Sequence, residues 1–170
     1  MELWDERNEQ GDATGHLLRR GEPVPEGRYH LVVSIWVCDP FGRLLVTLRA
    51  PEKDSYPSSW ENTAGSALAG ESSREAALRE LNEETGILAD ESALYLARRL
   101  RGRSAFIDTY FLRLTNVPDD VILQPGETAA YRWVTSAELD DMILTGQFAA
   151  PVVRRLAVLR EPLNRFVRGE

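Results

Sequence analysis

The chain has 170 residues, 43% hydrophobic and 28% charged, which fits one globular domain with a sizeable core rather than a disordered or fibrous chain. Its single cysteine, Cys38, rules out an internal disulfide. The charged start MELWDERNEQ is wrong for a signal peptide, and no apolar run nears the roughly 20 residues that span a bilayer, so a cytoplasmic protein with no membrane partner is expected. The net charge of −7, from 20 basic and 27 acidic residues, argues against a broad nucleic-acid surface. It leaves room for a small phosphorylated substrate, because carboxylates that hold a metal add to the acidic count.

Residues 1–27 read as an extension attached to a domain at 28–170. Two short strands, at 3–4 and 14–18, flank a polar turn at 8–12, and Gly21, Pro23, Pro25 and Gly27 punctuate a connecting loop. Residues 29–38, rich in Val, Ile, Trp and Tyr, predict a buried strand that returns through a turn at 39–42 into a second strand at 43–48. A polar loop at 50–59 leads to a short strand near 61–65.

The clearest helix spans 72–85. Ser72 and Glu75 form a capping-box pair, and Gly86 stands where a left-handed terminator belongs. Strands at 93–99 and 104–114 follow, joined by the basic turn 101–103. A strand at 130–134 then precedes a helix at 137–144 capped by Ser136. Pro151 opens a last helix that runs to about Arg160. Strands and helices interleave, yet the hairpins argue against a purely parallel sheet. The expected fold is α/β of the α+β type: a mixed sheet sandwiched between helices, with an N-terminal β-hairpin extension.

The stretch GSALAGESSREAALRELNEETGI, from Gly65 to Ile87, carries the chemistry. Glu80, Glu83 and Glu84 recur at i, i+3 and i+4, so the helix presents them along one face. Like charges at that spacing repel, and a hard divalent cation with oxygen ligands reverses the balance. Arg79 is placed to pair with Glu83 one turn on. Glu71 sits on the loop that enters the helix and can fold back toward the carboxylates. A glutamate-rich helix by itself is most often a solvated face.

This stretch resembles the Nudix box, G-x5-E-x7-R-E-U-x-E-E-x-G-U with U a bulky aliphatic residue. Gly65, Glu71, Arg79, Glu80, Leu81, Glu83, Glu84, Gly86 and Ile87 fill every specified position. Average residue frequencies give such a match roughly one chance in ten million. The resemblance covers about residues 28–160. It implies a Nudix hydrolase that binds Mg²⁺ or Mn²⁺ through Glu80, Glu83 and Glu84, joined by the Gly65 carbonyl, with Glu71 acting through water or a second metal. The general base would be one of the box glutamates or a carboxylate outside it, and Glu127, in the segment Pro125-Gly126-Glu127, is the outside candidate. The catalytic set expected from the resemblance is Arg79, Glu80, Glu83 and Glu127. The substrate would be a small molecule, a diphosphate joined to another group, cleaved at its phosphoanhydride bond. The chain could work as a monomer or a homodimer.

Two other readings compete. Residues 30–36, 44–47 and Trp60 with Asn62-Thr63 look like isopentenyl diphosphate isomerase, which shares the fold. That enzyme needs a cysteine beside the start of the box and a histidine just after it. Ala64 and Ser66 stand at those places, and Cys38 lies on another strand. His30 matches a metal-binding histidine of the isomerase, and Asp108 falls near a metal-binding glutamate. The third reading is a binding or regulatory domain that keeps an intact box. Arg49, Lys53, Arg101 and Arg103 are candidate phosphate contacts, and Trp36, Tyr56, Trp60, Phe106 and Tyr110 are candidate stacking surfaces.

Overall fold

The computed structural model describes residues 2–170. A hairpin of β1 (Leu3–Arg7) and β2 (Ala13–Arg19) forms its own two-stranded sheet. A seven-stranded mixed sheet follows. It comprises β3 (His30–Cys38), β4 (Leu44–Arg49), β5 (Trp60–Glu61), β6 (Thr63–Ser66), β7 (Leu94–Arg101), β8 (Ala105–Arg113) and β9 (Thr128–Val134). The helices are α1 (Ser73–Thr85), α2 (Ser136–Leu144) and α3 (Ala150–Arg168).

β3 is the spine. Its near-continuous apolar run is buried on both faces, the mark of a strand covered on each side. Alternate side chains part company. Leu31, Val33, Ile35 and Val37 join Ala76, Ala77 and Leu81 of α1, while Trp36 and Cys38 join Leu139 of α2 and Val152, Leu156, Leu159 and Leu163 of α3. β8 runs parallel to β3, from His30↔Ala105 to Cys38↔Arg113, and β7 closes that edge antiparallel to β8.

The other edge forks. β3 pairs with β4 only at Cys38↔Leu44, beside the turn, and then takes β6 as its neighbour from Val32↔Ser66 to Ile35↔Thr63. β4 meanwhile pairs with β5 and β9. The strand expected at 61–65 is therefore two strands on two branches, and the chain crosses between them at Asn62. The buried Asn62 amide makes the crossing, donating to Ser34 Oγ at 2.8 Å and to the Ile35 carbonyl at 3.1 Å. The fork leaves an opening between Arg49, at the end of β4, and Gly65 on β6.

Two helix ends differ from expectation. Thr135, not Ser136, caps α2, because Glu138 stands three residues beyond it and completes a capping box. α3 continues past Arg160 and through Pro162. The proline costs one backbone bond, to the carbonyl of Val158. That residue is exposed, so water can satisfy the carbonyl, while Leu159 and Leu163 extend the buried stripe.

The N-terminal hairpin is tied to the box. Arg7 and Tyr29 exchange backbone hydrogen bonds, and Trp4 stacks on His30 with ring centroids 4.2 Å apart. The amides of Ala69 and Gly70, in the loop before α1, donate to the Leu3 carbonyl and to Asp5 Oδ2.

Candidate active site

Local sequence rules set up the α1 scaffold. Ser72 accepts from the Glu75 amide while Glu75 accepts from the Ser72 amide, and Gly86 ends the helix at φ 69. Gly86 could not be replaced freely, since its left-handed backbone packs against the Ile122 side chain. The helix and its entering loop then place Glu80, Glu83, Glu84 and Arg79 on a cleft of about 290 Å³. Arg49 and Gly65 on the branches of the fork, with Lys53 and Glu127 from adjoining loops, line the same cleft. Glu2, Trp4 and Arg20 of the hairpin line it as well.

Arg79 organises the carboxylates. It binds Glu71 with two hydrogen bonds, at 2.7 and 3.0 Å, reaches Glu80 at 2.9 Å and Glu83 at 3.0 Å, and donates to the Ser66 carbonyl at 3.0 Å. Glu71 also accepts from the Leu68 amide at 2.8 Å, which braces the loop that the Arg79 bonds tie to the helix. The Arg79 hydrogen bonds hold the Glu71 carboxyl below its ordinary value, and the same bonds raise Arg79.

Glu80 and Glu84 behave in the opposite way. Burial raises Glu80, only partly offset by Arg79, with Glu83 and Glu2 adding to the rise. Burial raises Glu84 well above its ordinary value, and the negative charges of Glu61, Glu80 and Glu127 push it further against a single backbone hydrogen bond from Ala64. Gly65 makes room for this cluster. A Cβ there would lie 2.0 Å from Glu80 Cδ, so only a residue without a side chain lets the carboxylate rest on the strand.

Among the described residues, no three acidic, histidine or cysteine side chains converge closely enough to hold a cation as they stand. Arg79 draws Glu71, Glu80 and Glu83 to itself instead. The donor set nevertheless fits a hard divalent cation. It is all oxygen, it carries more negative charge around Glu84 than nearby cations neutralise, and Gly65 opens the strand beside it.

Glu61 is a site residue that the sequence reading missed. It pairs with Arg49 at 2.8 Å, its charge acts on Glu84, and it is raised by burial despite the Arg49 pair. Nothing in its local sequence marks it, because its role depends on β5 crossing to the other branch of the fork. Glu127 does reach the cleft, where it pairs with Lys53. Of the four basic candidates, Arg49 and Lys53 line this cleft, whereas Arg101 lies over the Tyr29 ring and Arg103 lines a separate surface hollow.

Other candidates have structural employment. Asp108 is buried and held by Arg99 at 2.6 and 2.7 Å and by the Ser73 hydroxyl at 2.6 Å, so its charge is matched. Burial lowers His30 to about 4, which keeps the ring neutral against Trp4. Trp36, Phe106 and Tyr110 are core residues. Cys38 is buried at the far end of β3 and donates to the Asp39 carbonyl, off the cleft.

A forked mixed sheet between helices, carrying a carboxylate-bearing loop and helix at the fork, defines the Nudix fold. The family model for the NUDIX domain matches residues 28–156. The chain is 37% identical over 149 residues to an uncharacterized Nudix hydrolase of Listeria monocytogenes, covering 87% of this chain and 88% of that one. The crystal structure of DR0079 from Deinococcus radiodurans superposes with a TM-score of 0.69 at 27% identity, over 91% of this chain and 98% of that one. Isopentenyl-diphosphate Delta-isomerase of Escherichia coli is 37% identical over 81 residues, 47% of this chain and 44% of the isomerase. The chain belongs to the Nudix hydrolase family. That family generally uses divalent metals. No helix among the described residues is long and apolar enough to cross a membrane.

Proposed function

We propose that the protein cleaves the phosphoanhydride bond of a diphosphate, nucleoside diphosphates included, that is linked to another group, using Mg²⁺ or Mn²⁺. Residues 28–170 form the hydrolase domain in this reading, and residues 1–27 are an extension that completes its cleft. The setting is cytoplasmic, as a monomer or homodimer. One observation carries the reading: Glu80, Glu83 and Glu84 share a cleft with Arg49 and Lys53. The carboxylates suit a cation, and the basic groups in the same cleft suit phosphate oxygens.

When bound, the divalent cation would polarise phosphoryl oxygens and make water a better nucleophile. Glu80, Glu83, Glu84 and the Gly65 carbonyl would hold it, with Glu71 supporting from the loop. Arg79 would hold the loop in place through its two bonds to Glu71. Arg49 and Lys53 would orient the diphosphate. The proton of the attacking water would go to a carboxylate. The candidates are a box glutamate and Glu127, which lines the cleft and pairs with Lys53. The isomerase reading finds no support at the cleft, since the only cysteine lies elsewhere. The test is turnover of a panel of nucleoside diphosphate sugars, dinucleoside polyphosphates, modified nucleotides and prenyl diphosphates, with each metal separately. Release of phosphate or monophosphate esters from at least one is expected, and release from none would end the proposal.

A further inference from the structure

A second cavity, of about 350 Å³, adjoins the cleft and shares Arg49 and the strand Ala64-Gly65-Ser66 with it. Arg155, on the second turn of α3, lines this cavity. Among the described residues its guanidinium makes no hydrogen bond and has no carboxylate within ion-pair distance, although burial disfavours its charge. The other half-buried arginines here are used differently. Arg160 pairs with Asp140 at 2.7 Å and bonds the Ser136 carbonyl, and Arg113 bonds the carbonyls at the end of α3.

The acid that faces Arg155 is Glu61, and Arg49 already holds that carboxylate. Two guanidinium groups and one carboxylate therefore line the cavity, and only Arg49 is hydrogen-bonded to that carboxylate. Tyr56 also lines the cavity, with its backbone in the left-handed region at φ 51. Such a conformation is strained for a bulky residue, and strain of this kind gathers at binding sites.

We propose that this cavity is a second anion subsite, in which Arg155 receives a phosphomonoester or carboxylate carried by the group beyond the scissile diphosphate. The link to the scissile bond rests on the hydrolase reading above. The subsite itself rests on the cavity and the unpaired cation. Preferred substrates then carry an anion on the leaving side, and compounds with a neutral sugar or prenyl group there are poorer.

Two measurements on the full chain test this. In ¹⁵N-arginine-labelled protein, the side-chain N–H resonance that disappears in Arg155→Gln belongs to Arg155. That resonance is expected to shift saturably when inorganic phosphate or acetate is added. A response to phosphate alone assigns a phosphomonoester, a response to acetate assigns a carboxylate, and no response to either overturns the proposal. Arg155→Gln is also expected to melt no lower than wild type, since a half-buried guanidinium with no hydrogen-bond partner among the described residues is removed. A large fall would show a structural arginine and equally overturn the proposal. In turnover, the variant should raise KM about tenfold for diphosphates with the extra anion and leave those without it unchanged. Equal effects on both classes would contradict the subsite. A wild type that turns over no diphosphate would sink the hydrolase reading, while the phosphate and acetate titrations still decide the subsite.

Discussion

The Glu80 carboxylate rests on the backbone of Gly65, so closely that a Cβ on residue 65 would meet it at 2.0 to 2.3 Å. The obstruction falls on the end of a flexible side chain, which can swing aside at little energetic cost. Gly65→Ala should therefore keep the fold and lose the site. Turnover is expected to drop about 100-fold, the scale of an ångström-sized misplacement of a catalytic group, with a melting temperature close to that of wild type. An active Gly65→Ala protein would show that the contact does not matter to the reaction.

Glu84→Gln should abolish turnover and hold or raise stability in metal-free buffer. The folded-state pKa of Glu84 lies above its unfolded value of about 4.5, through burial and then the charges of Glu61, Glu80 and Glu127. A raised carboxyl contributes stability that is fully present below the unfolded pKa and is lost as pH rises through the folded one. Metal-free wild type should thus melt progressively lower as pH rises from about 4.5, and Glu84→Gln should flatten that fall. Melting curves across pH, read by circular dichroism, check the sign.

Mg²⁺ or Mn²⁺ should raise the melting temperature at millimolar concentration, because the loop and helix carboxylates meet only in the folded chain. Binding to the folded state alone adds about 2.7 kcal/mol at 100 times Kd. Thermal scans with EDTA and with added metal measure it. The shift should shrink in Glu84→Gln, and a wild type unmoved by about 10 mM metal would indicate a site that does not bind one.

His30 predicts the opposite pH trend at the hairpin. Burial lowers it from 6.5 to about 4 in the folded state, so its contribution is present above pH 6.5 and is lost as pH falls toward 4. The ring retains some exposure, which cuts the effect to about 2 kcal/mol. His30→Phe keeps the stack on Trp4 and removes the titration, so its stability relative to wild type should improve as pH falls from 6.5 to 4. Parallel pH profiles for the two proteins would rule this out.

The loop and helix of the box were legible in the sequence because their determinants are local. The Ser72–Glu75 cap, the Gly86 terminator and the spacing of Glu80, Glu83 and Glu84 all act within a few residues, as does the pairing of Arg79 with Glu83. The buried strand at residues 29–38 was legible for the same reason, from its own run of Val, Ile, Trp and Tyr. What was not legible depends on the fork. Asn62 divides one apparent strand between two branches, and that division brings Glu61 beside Glu84 and Arg49. The end of α3 was missed because Pro162 looks like a stop, and only the packing of Leu159 and Leu163 carries the helix through it. The hairpin's place on the cleft was equally hidden, since it arises from contacts between Trp4 and His30, far apart in sequence.

The most direct test of the account follows the oxygen and the proton together. Hydrolysis of an active diphosphate substrate in ¹⁸O-labelled water, with Mg²⁺ or Mn²⁺ present, should place one label on one of the two phosphate products, read by mass spectrometry. In D₂O, isopentenyl diphosphate should acquire no carbon-bound deuterium, because Ala64 and Ser66 supply neither the acid nor the ligand that isomerisation needs. Label in a phosphate product with no deuterium uptake is the predicted result. Deuterium incorporation at a catalytic rate, surviving Cys38→Ala, would contradict the hydrolase assignment.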